Sequence, residues 1–130
     1  MNILITGGAG FIGSHLVDFL ITKKEIKKII VLDNIEDGSL KNLKDALKNS
    51  KVKFFKRDIR NFKSIKNCFK NIDQVVHLAA LSDIVPSIEN PIEYLNTNIM
   101  GTVNILESMR IHKIKKIVYS ASSSCCGIPF

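Results

Sequence analysis

The residues with the most evident chemistry stand between Thr6 and Gly13, where Gly7, Gly8, Gly10 and Gly13 share eight positions. Gly8, Gly10 and Gly13 have the spacing G-x-G-x-x-G, and Gly7 adds an overlapping G-x-x-G-x-x-G. An apolar run, Ile3-Leu4-Ile5, precedes them, and a helix-patterned segment begins at Phe11. A strand that turns straight into a helix presents unpaired backbone N–H groups at the helix start, where the helix dipole also favours negative charge. Glycine permits the tight turn, the close approach of a phosphate and the close packing of helix on strand. The stretch therefore predicts a pyrophosphate site.

Asp33 stands twenty positions after Gly13, at the end of a second apolar run, Ile29 to Leu32. That spacing fits the acidic residue that hydrogen-bonds a ribose in dinucleotide folds. A carboxylate there would repel a 2′-phosphate, which favours NAD over NADP. Asp58-Ile59 follows a third run, Val52 to Phe55, where a strand's carboxyl end would face the same crevice, so Asp58 is a candidate for the adenine amino group. His77, within Gln74 to Ala80, reads as a packed strand histidine rather than a base, because no carboxylate or metal partner is evident beside it. The three cysteines, Cys68, Cys125 and Cys126, lack metal-ligand spacing, and their odd number argues against a disulfide framework, so reduced thiols and no metal are expected.

These residues need elements to hold them. Asn2 to Thr6 has the continuous apolar character of a parallel strand buried on both faces. Phe11, Ile12, His15, Leu16, Phe19 and Leu20 recur at three- and four-residue steps, predicting a helix with that stripe on the sheet. Asn34 to Ser39 reads as a loop, Leu40 to Leu47 as a short helix, and Asn61 to Lys70 as a surface helix with Phe62, Ile65 and Phe69 inward. Gln74 to Ala80 makes a fourth strand, whose small terminal residues would let a ring or ribose near the backbone. A loop, Leu81 to Asn90, precedes Pro91, which opens a long helix to about Ile111 with Ile99, Val103 and Leu106 buried. Gly101 interrupts that helix at a cost of about 1 kcal/mol, which implies a close contact. Ile117 to Ala121 is a fifth strand, leading to Ser122-Ser123-Ser124. Five alternations predict an α/β doubly wound parallel sheet, a Rossmann fold, in strand order 3-2-1-4-5, with the crevice between the first and fourth strands.

At 130 residues the chain is one domain's worth, residues 1–130. No apolar run approaches the roughly 18 residues that span a bilayer, and no basic region or cleavage site opens the chain, so the cytoplasm is the expected compartment and a membrane role has no support. The net charge of +7 comes from dispersed lysines. Nucleic-acid binding is a reading that such charge raises, but no aromatic residues interleave with a basic stripe. A basic surface also attracts an anionic nucleotide.

Together the stretches ITGGAGFIGSHL, LDN with Gly38-Ser39, RDI, HLAA, NPIEYLNTNIMGT and YSASSS resemble the extended short-chain dehydrogenase/reductase family. The resemblance is to its NAD-dependent nucleotide-sugar epimerases and dehydratases, of UDP-glucose 4-epimerase type, and covers nearly the whole chain. It implies that Gly7, Gly10, Phe11, Ile12 and Gly13 form the pyrophosphate turn and that Asp33 and Asn34 contact the adenosine ribose. Asp58 and Ile59 would meet the adenine, Ala79 and Ala80 would line the nicotinamide side, and Asn98 would help organise the active site. Ser122 matches the family's catalytic serine. In the family, a tyrosine with a lysine four residues later takes the proton from a sugar hydroxyl as NAD takes the hydride, and the serine hydrogen-bonds the same oxygen.

Two departures qualify the match. Tyr94 and Tyr119 are followed four residues on by Asn98 and Ser123, so Tyr-x-x-x-Lys is absent, and its usual place lies beyond Phe130. The chain therefore reads as the N-terminal part of such an enzyme, inactive alone, without the substrate-binding part, and exposing apolar surface that promotes self-association. Cys126 stands where the family most often has tyrosine, before the glycine matched by Gly127. A non-catalytic NAD-binding regulatory or scaffold module is the alternative reading.

Overall fold

In a computed structural model of the chain, residues 1–122 are described; Ser123, Ser124, Cys125, Cys126, Gly127 and the residues to Phe130 lie outside them. Five parallel strands form one sheet in the order β3-β2-β1-β4-β5. They are β1 (Asn2–Thr6), β2 (Lys28–Asp33), β3 (Val52–Lys56), β4 (Gln74–His77) and β5 (Ile117–Tyr119). The expected fold class and strand order both hold. β1 is central, pairing Thr6 with Leu32 of β2 on one side and with His77 of β4 on the other.

The continuous apolar runs are explained by burial on both faces. Successive side chains of a strand point to opposite sides. Ile3, Ile5, Ile29 and Val31 accordingly face one core with Val17, Leu43 and Val52. Leu4, Ile30 and Leu32 face a second, with Ile59, Ile65, Phe69, Ile105 and Met109. Helix α1 (Phe11–Ile21) covers the first layer. The second is covered by α2 (Phe62–Ile65), which continues as 3-10 turn through Phe69, and by α5 (Gly101–Ile111). Cys68 is half-buried in that layer, where desolvation pushes its thiol pKa up.

Several local expectations are corrected. The residues of α1 that bury are Gly13, Ser14 and Val17, whereas Phe11, Ile12 and Phe19 are more than half exposed. Leu16 and Leu20 pack only partly against the core. Helical spacing shows that a stripe exists but not which side of the helix meets the sheet, and the side that does carries Gly13, Ser14 and Val17. Leu40 to Leu47 forms two 3-10 turns, Leu40–Leu43 and Ala46–Lys48, the first capped by Ser39. The expected loop from Leu81 contains a helix, α3 (Ile84–Glu89). The long helix begins at Pro91 as α4 (Pro91–Tyr94) but passes through a π-helical stretch, Leu95–Met100, before α5.

Ile99, Val103 and Leu106 are exposed, and the buried line is instead Thr97, Gly101, Ile105, Ser108 and Met109. Gly101 does make the close contact its place implied, since a Cβ there would stand 2.6 Å from Ile59 Cδ1. β4 ends at His77 and β5 at Tyr119, both shorter than their apolar runs. Among the described residues no helix is long and apolar enough to cross a membrane.

Candidate functional site

The carboxyl ends of β1, β2 and β4 open on a cleft of about 230 Å³. That is slightly below the range of about 300–1,000 Å³ for small-molecule sites, room for part of a dinucleotide. Gly7, Gly10, Phe11, Asp33, Asn34, Ile59, Ala79 and Ala80 all line it. Ile12, Gly13, Asp58, Asn98 and Ser122 are not on its wall, so the structure gathers eight of the candidates and sets the rest behind or beside them.

The four glycines have different tasks. Gly7 has φ +69°, and a Cβ on it would lie 2.7 Å from Ala79 N, so both backbone hand and space require glycine. A Cβ on Gly13 would strike the Gly7 carbonyl and stand 2.6 Å from Gly8 Cα, so Gly13 allows α1 to start tight against the turn. Gly8 faces Val31 in the core. Gly10 differs: a Cβ there would meet only Gly7 O, at 3.3 Å, and the remaining space is cleft. Gly7 and Gly10 thus face the cleft, Gly13 lets α1 close on the turn behind them, and Gly8 is a packing residue.

Gly10 is the N-cap of α1, no side chain caps it, and the first turn holds no acidic residue. The first N–H groups of an eleven-residue helix are left without side-chain acceptors, which suits an anion.

Asp33 is 8% exposed and its carboxylate holds the turn in place. Oδ2 accepts the Ala9 N–H at 2.9 Å and Oδ1 the Ile35 N–H at 2.8 Å. Ala9 O in turn accepts from Ser39 N at 3.0 Å and Asn42 Nδ2 at 2.8 Å. The bond from Ile35 also pins a β-branched residue at φ 62°, a conformation that costs of order 1–3 kcal/mol. The loop thereby doubles back and brings Glu36, Asp37 and Gly38 onto the cleft wall. A carboxylate has about four acceptor positions, so Asp33 keeps capacity for hydroxyl groups in the cleft. Asn34 is tied to Glu36, with Nδ2 donating to Oε2 at 2.7 Å.

Asp58 is held differently from its neighbours. Arg60 donates to both its oxygens, through Nε at 3.0 and 2.8 Å and through Nη2 at 2.6 Å, and also reaches Glu36 at 3.1 Å and Glu93 at 3.2 Å. Burial alone would raise the Asp58 pKa; the Arg60 bonds and charge outweigh it and hold the carboxyl below its usual range. Ile59, next in sequence, reaches the cleft, and Asn104 Nδ2 donates to its carbonyl at 2.9 Å.

Asn98 lies in the π-helical stretch and brackets the backbone of Leu81, accepting its N–H at 2.9 Å and donating to its carbonyl at 2.8 Å. It thus acts on the strip Ala79 to Leu81 from behind. His77 is buried between two hydroxyls, Thr6 Oγ1 at 2.7 Å from Nδ1 and Thr102 Oγ1 at 2.9 Å from Nε2. It is a packed strand histidine, as its sequence setting implied, and burial lowers its pKa to about 4. Ser122 is exposed, three residues past the end of β5.

Leu32, Glu36, Asp37, Gly38, Arg57, Leu78, Leu81 and Thr97 also line the cleft and were not named as site residues from sequence. Leu32 and Leu78 flank strand ends, and Glu36 and Asp37 directly follow the ribose candidate, so position along the chain carried a usable signal for them. Thr97 carried none, since packing of the long helix brings it in. Its buried Oγ1 has no protein partner, and it is the one such side-chain atom among the described residues.

A family model described as GDP-mannose 4,6 dehydratase matches residues 4–126. The UDP-glucose 4-epimerase of Halalkalibacterium halodurans is 42% identical over 131 residues, covering 99% of this chain and 37% of that protein. The dTDP-D-glucose 4,6-dehydratase of Dictyostelium discoideum is 41% identical over 129 residues, covering 97% of this chain and 30% of that protein. Among solved structures, UDP-glucose 4-epimerase from Bifidobacterium longum in complex with NAD+ and UDP superposes with a TM-score of 0.88 at 34% identity, covering 98% of this chain and 38% of that one. The chain spans less than two fifths of the length of each.

Proposed function

The chain belongs to the family described as GDP-mannose 4,6 dehydratase, and from that premise we propose that residues 1–130 are the NAD-binding domain of a nucleotide-sugar epimerase or dehydratase. The observation that carries the proposal is the open side of Gly10. Where a Cβ would stand there is cleft, and beside it α1 begins with no capping side chain. Among the glycines of the turn, Gly10 is the one whose Cβ position is open, since those of Gly7, Gly8 and Gly13 are filled by their neighbours, so a phosphate can approach the backbone beside it. The unpartnered Thr97 hydroxyl at the cleft wall supports occupancy by a polar group.

In this reading the backbone N–H groups of Phe11, Ile12 and Gly13 hold the pyrophosphate, Gly10, whose own N–H is donated to the Gly7 carbonyl, leaves it room, and Gly7 shapes the turn. Asp33 and Asn34 take the adenosine ribose, and the carboxylates of Asp33, Glu36 and Asp37 on one wall disfavour a 2′-phosphate. Ile59 covers the adenine, with Asp58 beside it fixed by Arg60. Ala79 and Ala80 leave room for a flat ring, and Asn98 secures the strip that carries them. NAD bound there would supply a two-electron acceptor for a sugar hydroxyl. Ser122, three residues past β5, is assigned the role of holding the sugar oxygen.

The chain carries no Tyr-x-x-x-Lys. We assign the proton-accepting base and the sugar-nucleotide site to the length of the relatives that this chain does not span. The expected behaviour is therefore binding of NAD and NADH without turnover of nucleotide sugars. Isothermal titration checks it: NAD and NADH should give saturable heats and NADP a weaker one. A folded protein that gives no heat with NAD or NADH would overturn the reading.

A further inference from the structure

The buried histidine of β4 has a hydrogen-bond arrangement that fixes its protonation by counting. Thr6 Oγ1 accepts the N–H of Ala79 at 3.2 Å and shares that of Leu78, at 3.2 Å, with the Thr6 carbonyl, at 3.1 Å. Thr102 Oγ1 donates its one hydrogen to the carbonyl of Asn98 and so can only accept from His77 Nε2, which leaves Nδ1 to accept the Thr6 hydroxyl hydrogen at 2.7 Å. Nδ1 is then an acceptor and the imidazole proton sits on Nε2. Nε2–H donates to Thr102 Oγ1 at 2.9 Å, and Thr102 passes its own hydrogen to the carbonyl of Asn98 at 2.6 Å. Asn98 returns to the cleft by its two bonds to Leu81. The reverse tautomer would set Nδ1–H against the Thr6 hydroxyl hydrogen and would take Thr102 away from Asn98.

The circuit therefore starts at Leu78 and Ala79, crosses Thr6, His77, Thr102 and Asn98, and ends at Leu81. Leu78, Ala79, Ala80 and Leu81 all line the cleft, whereas His77 does not. His77 also holds the next strand, since its carbonyl accepts Ser120 N–H at 3.2 Å and the Tyr119 ring lies 5.4 Å from the imidazole. We propose that His77 is a positioning residue: a neutral imidazole protonated on Nε2 that fixes the cleft strip Leu78 to Leu81 at both ends, through Thr6 and through Thr102 with Asn98. Its role in cofactor binding rests on the NAD reading above; its tautomer does not. Burial at 2% exposure, which disfavours the imidazolium, supports it.

Long-range proton–nitrogen correlation on the nitrogen-15-labelled chain at neutral pH reads the tautomer directly. A single Nε2–H pattern for His77 is expected; an Nδ1–H or averaged pattern overturns the proposal. Thr6→Val removes the hydroxyl at similar volume and should shift the Leu78 and Ala79 amide resonances. It should also weaken NADH binding about fivefold, one hydrogen bond's worth. Thr6→Ser should restore both, which a merely space-filling threonine would not predict. Thr102→Val, which leaves Nε2–H without its acceptor, should weaken NADH by a similar factor and serves if Thr6→Val does not fold. Unchanged NADH affinity in a folded valine variant would overturn the positioning role. A wild-type chain with the Nε2–H pattern and no NADH binding would refute the cofactor reading and leave the circuit supported by the amide shifts.

Discussion

Gly10→Ala separates binding from folding at the turn. Gly10 has φ −74° and ψ 180°, extended backbone that alanine adopts without strain. Adding a methyl group removes unfolded-state freedom, which stabilises by about 0.4–1 kcal/mol where the conformation is compatible. Against this stand a 3.3 Å contact with Gly7 O and the loss of a modest N-cap preference for glycine, together of similar size. The net change in stability should be within about 0.5 kcal/mol.

The methyl group, however, stands in the cleft where the backbone would meet a phosphate. Moving the phosphate off the helix start gives up charge-assisted N–H bonds worth about 1.5–3 kcal/mol each, so losing one weakens binding by roughly ten- to a hundredfold. The assays are urea unfolding and NADH titration on the same preparation, with Gly7→Ala as the contrast. At Gly7 the left-handed φ costs about 1–2 kcal/mol and the 2.7 Å approach to Ala79 N adds overpacking of about 1–3 kcal/mol. Gly7→Ala should therefore unfold far more easily. A Gly10→Ala protein that binds NADH as tightly as the parent would refute the placement of the pyrophosphate, and one that is strongly destabilised would show Gly10 to be a packing residue.

Asp33→Ala leaves the N–H groups of Ala9 and Ile35 without their acceptor, so it should lose about 1–3 kcal/mol in urea unfolding and also narrow any preference for NADH over NADPH; unchanged stability would contradict the clamp. His77 has a folded pKa of about 4 against 6.5 for the free group, so below pH 6.5 the unfolded chain takes up a proton that the folded chain refuses. Its contribution is whole above pH 6.5, falls away towards pH 4 and then levels, by about 3 kcal/mol in total. Urea midpoints that stay flat between these pH values would argue against a buried neutral imidazole. Ile88, Ile92, Leu95, Ile99, Val103 and Leu106 are all exposed along α3 to α5, so the chain should self-associate with rising concentration in sedimentation equilibrium, and a strict monomer would refute that.

The cleft was partly legible before the fold was known because its local parts are contiguous. Gly7 to Gly13, Asp33 and Ala79-Ala80 sit where strands end, and strand ends can be read from apolar runs. The same reading failed on helix faces for a physical reason. Phe11, Ile12 and Phe19 have helical spacing, as do Ile99, Val103 and Leu106, and periodicity reports that a stripe exists without saying which side meets the sheet. The side of each helix that buries carries Gly13, Ser14 and Val17 in α1 and Gly101, Ile105, Ser108 and Met109 in α5, a mixture of small and apolar residues that the apolar stripe alone does not mark.

The sequence by itself determined the alternation of strands and helices, the continuous apolar strands that put the sheet between two layers, and the glycine spacing at the turn between the first strand and its helix. Those properties depend on residues near one another in the chain. Tertiary structure alone decided which groups remain available. Arg60 occupies Asp58, Asp33 grips Ala9 across 24 residues, and His77 joins Thr6, 71 residues away, to Thr102, 25 residues away. A hydrogen bond consumes a particular lone pair or proton, so the chemistry left to each group is settled only when its distant partners have been brought to it.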